Sequence, residues 1–258
     1  MSRDAFPAGL IIAASLLVLF VVLPLAVTML STSLPAVLEA IVDPEVARSL
    51  GVTFLAGAIS STVGLILGLP LAYILARGNF PGRETLAAVV DLPMIIPHTA
   101  AGIALLLVFG RQGLLGRGFS RLGITFADSL GGIVVGMLFV SLPLLVGASR
   151  EAFAAVHPDY EQAARVDGAG FWGTLWHVTL PLAWRGILSG AIMMWARGIS
   201  EFGAVVILAY SPRIMPVLIY ERFMGFGLAS AQPVTVILIV VVLLLFALLR
   251  WLARSLDA

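Results

Sequence analysis

Apolar residues in this chain fall in long blocks with little polar alternation inside them. Six blocks approach or exceed the roughly 20 residues that a helix needs to cross about 30 Å of hydrocarbon. They lie at about 9–30, 52–76, 86–109, 131–148, 187–209 and 233–252. Runs of this length predict helices, because a helix satisfies its backbone hydrogen bonds within the segment and an isolated strand does not. The first block is too long and too evenly apolar for a cleavable leader, and no A-x-A-like site follows it. Charges interrupt the fifth block, whereas the sixth is apolar throughout.

Composition places these helices in a bilayer. The chain has 258 residues, 60% hydrophobic and 11% charged, with a mean hydropathy of +1.09, too little polar sequence to coat a water-soluble globule. The expected fold is therefore an all-α membrane protein with six spans and a single transmembrane domain over 1–258. Every basic side chain other than histidine is arginine. With a cytoplasmic N-terminus, Arg3, Arg77, Arg83, Arg150, Arg165, Arg185, Arg250 and Arg254 lie inside and Arg48, Arg111, Arg117, Arg121, Arg213 and Arg222 outside. That distribution favours both termini in the cytoplasm of a multi-pass cell-membrane protein.

Several chemistries find no footing. Without cysteine there is no disulfide, haem thiolate or cysteine metal site. His98, His157 and His177 are scattered, with no metal-ligand spacing, so no metal site is expected. There is no Walker A run, no glycosidase-like carboxylate pair and no nucleophile elbow, so no catalytic residue is assigned. A net charge of +1 gives no nucleic-acid footprint.

Two regions depart from the apolar pattern. The stretch EQAARVDGAGFWGTLWHVTLP, residues 161–181, joins the fourth and fifth blocks. Glu161 and Arg165 stand four apart and predict a short helix with Ala163 and Ala164 beside its charged face. Gly168 permits a turn, Pro181 restricts the chain before the next span, and Trp172, Trp176 and Trp184 are placed to anchor at headgroup level. On physical grounds alone this is either an interfacial connector or a docking surface. The second region is the charged pair Arg197 and Glu201, also four apart, inside the fifth block, with Gly198, Ser200 and Gly203 around it. Ionisable groups there must be paired, hydrated or turned to protein, which fits either a structural ion pair or a transport path. Pro93 and Pro97 predict a distortion in the third block, next to His98 and Thr99. Gly64 and Gly68 form a small-residue pair that serves either the intrachain bundle or a dimer interface.

The loop stretch resembles the cytoplasmic motif of permease subunits from ATP-binding-cassette importers, in which E-A-A is followed at fixed spacing by glycine and then I-x-L-P. Ala163 and Ala164 match the alanines, Gly168 the glycine, and Val178, Leu180 and Pro181 the final element; Gln162 occupies the acidic position, with Glu161 just before it. The runs DLPMIIPHTAAGIALLLVFGRQGLLG (91–116), MLFVSLPLLVGASREAF (137–153) and RGISEFGAVVILAYSPRIMPVLIYERF (197–223) are similar to permeases for tetrahedral oxyanions, molybdate/tungstate first and sulfate/thiosulfate next.

The resemblance implies a type I importer fold and a subunit that moves an oxyanion by alternating access without bond chemistry. It implies a coupling loop at about 151–185, with Glu161, Gln162, Ala163, Ala164, Gly168, Leu180 and Pro181 facing an ATPase. Arg197, Ser200, Glu201, Pro93, Pro97, His98 and Thr99 become the gate or pathway set. The implied partners are a second permease copy, two ATP-binding subunits that hold ATP and magnesium, and an extracytoplasmic oxyanion-binding protein; no cofactor is implied on this chain. The short tail after the last block leaves no room for a C-terminal regulatory domain. Two other readings are a sulfate/thiosulfate permease and a noncatalytic membrane scaffold.

Overall fold

The computed structural model describes residues 7–255, and among them every regular element is helical. Arg3 lies outside the described residues, as do the side chains of Arg250 and Arg254. Backbone contacts gather the chain into two compact units, Met1–Leu50 with Leu218–Ala258, and Gly51–Val217.

The first unit holds α1 (Ala8–Ser31), α2 (Leu34–Val42), the start of α3 (Pro44–Arg77), the later part of α12 (Met215–Phe226) and α13 (Leu228–Ser255). No residue of α1 is buried, and its apolar side chains point in every direction, as suits a helix immersed in lipid. Two hydroxyls near its end are satisfied locally: Thr28 and Ser31 donate to the carbonyls of Pro24 and Val27, at 2.8 and 2.6 Å. The Gln232 amide of α13 donates to Ser31 at 2.6 Å. Arg222, one of the arginines counted on the outer side, joins Asp43 and Glu45 at 2.5 and 3.3 Å. Its hydrogen bond holds the Asp43 carboxyl below the usual carboxylate range.

The second unit contains the rest of α3, then α4 (Arg83–Ile95), α5 (His98–Phe109), α6 (Gly116–Arg121), α7 (Leu130–Ala155), α8 (Pro158–Val166), α9 (Phe171–Thr174), a π turn (Leu175–Thr179), α10 (Leu180–Ile199) and α11 (Gly203–Leu208). At its centre is α7, started by a Ser129 cap whose hydroxyl accepts from the Gly132 amide at 3.2 Å. Helix α10 lies against it through small residues spaced four apart. A Cβ built at Gly186 would sit 2.4 Å from the Ala152 Cβ, and one at Gly190 would sit 2.8 Å from that of Ala148. In lipid no hydrophobic force drives helices together, so this close backbone approach supplies the contact. Gly64 and Gly68 also turn inward, toward Met194 and Leu142, so they serve the intrachain bundle.

Among the described residues, five helices have the length and hydropathy to cross a membrane: Ala8–Ser31, Pro44–Arg77, Leu130–Ala155, Phe171–Ile199 and Leu228–Leu248. A sixth crossing requires α4 and α5 together, and these are bent by 112° at the break between them. The predicted third span is therefore not one straight helix. Ile96 takes an extended conformation (φ −70°, ψ 134°) because Pro97 behind it disfavours the helical one.

The predicted fifth span, 187–209, is also corrected. The continuous helix begins at Phe171 and ends at Ile199, and 203–208 forms the separate α11. Pro181 is thus inside that helix and not ahead of it. It is accommodated by the preceding π turn, where the Leu180 amide reaches back to the Leu175 carbonyl. At the other end the Ser200 hydroxyl bonds the Arg197 carbonyl at 2.9 Å and Glu201 accepts from the Ala204 amide at 3.0 Å, side-chain bonds that compete with helix continuation.

Candidate functional site

Two polar clusters sit in the Gly51–Val217 unit. The first forms where broken helices meet. His98 opens α5, Arg197 lies on the last turn of α10, and Glu201 occupies the gap before α11. Glu201 is 1% exposed. Its Oε2 lies 2.8 Å from His98 Nδ1 and 3.1 Å from Arg197 Nη2, while its Oε1 caps α11. Arg197 Nη2 is also 3.0 Å from His98 Nε2. Nδ1–H donates to Glu201 Oε2, and Arg197 Nη2, nearly equidistant from the two ring nitrogens at 3.1 and 3.0 Å, lies over the imidazole face. A buried carboxylate needs such partners, since an unpaired charge here is costly.

Gly203 makes this junction possible. A Cβ at Gly203 would lie 2.8 Å from the His98 Cβ and 3.2 Å from the Thr99 amide nitrogen, so α11 and α5 touch backbone to backbone. Gly203→Ala is expected to destabilise the purified protein by about 1–3 kcal/mol through overpacking. An unchanged thermal midpoint in detergent would contradict that close contact.

Of the seven predicted pathway residues, His98, Arg197 and Glu201 come together. Ser200 joins only through the Arg197 carbonyl and is otherwise exposed. Pro93 is buried within α4, Pro97 shapes the break, and Thr99 faces outward. The sequence linked Arg197 to Glu201 by their spacing; His98, 103 residues before Glu201, carries no such local signal.

The second cluster surrounds α8. His157 caps this helix by accepting from the Asp159 amide at 3.4 Å, Pro158 fills its first position, and acidic residues precede Arg165 along it, as the helix dipole favours. Beyond Val166 the Gly168 amide bonds to the Arg165 carbonyl at 3.1 Å and the Ala169 amide to that of Ala164 at 2.9 Å. Those two bonds are a Schellman closure, which places Gly168 at φ +91°. Gln162, Ala163, Arg165 and Val166 face outward and Ala164 is half-buried. Pro181 is exposed, and Leu180 packs on the cluster of Leu75, Phe153 and Val156.

Glu161 behaves differently. The helix pair with Arg165 gives way to a long-range one, for Glu161 turns inward, 7% exposed, and meets Arg77 at 3.1 Å. Its Oε1 also accepts from the Thr179 hydroxyl at 2.9 Å, and Arg77 Nη2 donates to the Val156 carbonyl at 2.7 Å. The Glu161 carboxylate thus joins α8 to the end of α3 and to the π turn, and Arg77 extends the link to the connector after α7. Sequence reasoning passed over Arg77 and Thr179. The available signals were an arginine ending an apolar block and a hydroxyl ahead of Leu180-Pro181, neither of which names its partner.

Residues 64–258 match the family described as binding-protein-dependent transport system inner membrane component. The chain is 38% identical over 244 residues to the molybdate/tungstate transport system permease protein of Thermococcus kodakarensis, covering 94% of each chain. It is 39% identical over 252 residues to the protein of that description from Methanocaldococcus jannaschii, covering 97% of this chain and 98% of the other. The sulfate transport system permease protein of Synechocystis is 30% identical over 245 residues, covering 92% and 86%. Among solved structures, a bacterial ABC transporter that imports the acidic polysaccharide alginate matches with a TM-score of 0.79 at 15% identity, covering 97% of this chain and 95% of that one. The fold is that of an importer permease.

Proposed function

Because this chain belongs to the binding-protein-dependent transport inner-membrane family, we propose that it is the membrane-spanning subunit of an ATP-driven molybdate/tungstate importer. The observation that carries the reading is end-to-end identity of 38–40% with four molybdate/tungstate permeases. The sulfate permeases that also match, at 30–34% identity, favour sulfate as the second reading. Hydrolysis belongs to partner subunits that bind ATP and magnesium; this chain contributes the path and the linkage to it.

In this reading the chain is one permease domain. The bent α4–α5 pair crosses the membrane as a broken sixth span, which puts α8 and both termini on the cytoplasmic face. Two copies pair, two ATPase subunits dock on α8 through the outward face formed by Gln162, Ala163 and Val166, and an oxyanion-binding protein delivers substrate on the other side. The His98–Arg197–Glu201 junction is the gate. Arg197 is 32% exposed and attracts a dianion, while buried Glu201 competes for the same guanidinium and keeps the anion from being held. Such a balance suits a path that must release what it admits.

The test is hydrolysis by the reconstituted transporter with its cognate ATPase and binding protein, in the presence of tungstate, molybdate or sulfate. Stimulation by tungstate or molybdate at concentrations where sulfate is silent is the expected result. Stimulation by sulfate alone would establish the second reading, and silence with all three would overturn the substrate class.

A further inference from the structure

Helix α8 has an outer and an inner face, and its one buried acid is on the inner side. Resting on the reading that α8 docks the ATPase, we propose that Glu161 is a positioning residue whose clasp with Arg77 and Thr179 carries displacement of α8 into two membrane helices at once. Arg77 is the last residue of the 34-residue α3. Thr179 closes the π turn that leads into α10. Movement of α8 therefore pulls on the end of α3 through Arg77 and on the base of α10 through Thr179.

Three observations support a linkage over a passive brace. The Arg77 guanidinium is committed twice, to the Glu161 carboxylate and to the Val156 carbonyl ahead of α8, so the helix is held at its body and at its approach. The side chains of this ion pair are only 19% and 9% exposed, and a buried pair resists separation because each partner would be left as an uncompensated charge. The clasp therefore travels as a unit. Thr179, finally, sits where the helix ladder runs i to i−5, a local widening often found at functional positions. Behind the polar contacts, Tyr73 of α3 stacks edge-on against Phe153 of α7 and Phe171 of α9, with ring centroids 5.4 and 5.8 Å away. The aromatic set ties the same end of α3 to α7 and α9 as well.

The experiment compares variants in the complete transporter, reconstituted with its ATPase and binding protein in proteoliposomes. It reads co-purification of the ATPase, receptor-stimulated hydrolysis and oxyanion uptake. Glu161→Gln keeps the side chain's shape and an acceptor for Thr179 but removes the charge facing Arg77. The expected result is a complex that still assembles but imports about tenfold less oxyanion per ATP hydrolysed. Reversing the pair, Arg77→Glu with Glu161→Arg, is expected to recover at least threefold over either single change. Uptake per ATP at the wild-type level in Glu161→Gln would overturn the proposal. So would loss of ATPase co-purification in that variant without recovery in the reversed pair, since Glu161 would then be a docking residue. The docking reading is tested separately by Val166→Asp on the outer face, where Val166 is 87% exposed. Wild-type assembly and uptake in Val166→Asp would sink the docking reading; lost assembly there with wild-type uptake per ATP in Glu161→Gln would sink the clasp alone.

Discussion

Replacing Glu201 with alanine is expected to destabilise the purified permease by about 3 kcal/mol, at the lower end of the range for deleting one partner of a buried ion pair. The lower end applies because Arg197 and His98 keep 32% and 36% of their side-chain surface exposed and regain some solvation. Besides the partner of His98 Nδ1 at 2.8 Å, two further acceptors are lost in this substitution. The Arg197 guanidinium loses its carboxylate at 3.1 Å, and the first turn of α11 loses the acceptor for the Ala204 amide at 3.0 Å. Glu201→Gln can keep the acceptor for the Ala204 amide, although its NH2 then replaces the oxygen that faces Arg197 and His98, so its loss should be smaller than that of alanine by the retained cap. Thermal unfolding in detergent provides the comparison. Equal midpoints for wild type and Glu201→Ala would mean that the junction contributes nothing to stability.

Gly168→Val should abolish most coupled transport while leaving membrane insertion intact. At φ +91° an L-residue is strained, by roughly 1–2 kcal/mol in the left-handed region and more when β-branched. At about 1.4 kcal/mol per tenfold, the equilibrium constant for the closed loop falls by about an order of magnitude. Receptor-stimulated hydrolysis and uptake are therefore expected to fall about tenfold. No atom lies within 4 Å of a Cβ built at Gly168, so crowding cannot account for the loss. Gly168→Asn, which tolerates positive φ, should retain more activity than Gly168→Val. If the valine variant transports normally, the closure after α8 is not needed for coupling.

The residues differ in how far they announced these roles. Gly168 was legible because a turn after an alanine-lined helix restricts the choice of residue locally. The apolar blocks were legible because block length is a one-dimensional property. The breaks were harder: Ile96 yields to Pro97, which the sequence shows, but the gap at Ser200–Phe202 lies between apolar runs and depends on where two side chains find backbone partners. Local spacing correctly joined Arg197 to Glu201 and wrongly joined Glu161 to Arg165. In the latter case Arg77, 84 residues earlier, offered a better-enclosed site than a neighbour on the exposed helix face. Spacing finds partners along a helix and is silent about those supplied by another.

The bend between α4 and α5 also bears on how the chain is born. With 13 and 12 residues, the two halves are about 20 and 18 Å long at 1.5 Å per residue, so neither covers the hydrocarbon thickness by itself. The carbonyls exposed by the break have no lipid partner. Ala87 of α4 can pack at once against Ala72 and Leu75 of α3, but the other neighbours, α7 against α4 and α11 against α5, emerge from the ribosome later. A chain stalled before residue 208 would leave α5 without its α11 seat, so this segment must wait, sheltered by the insertion machinery, for helices not yet made.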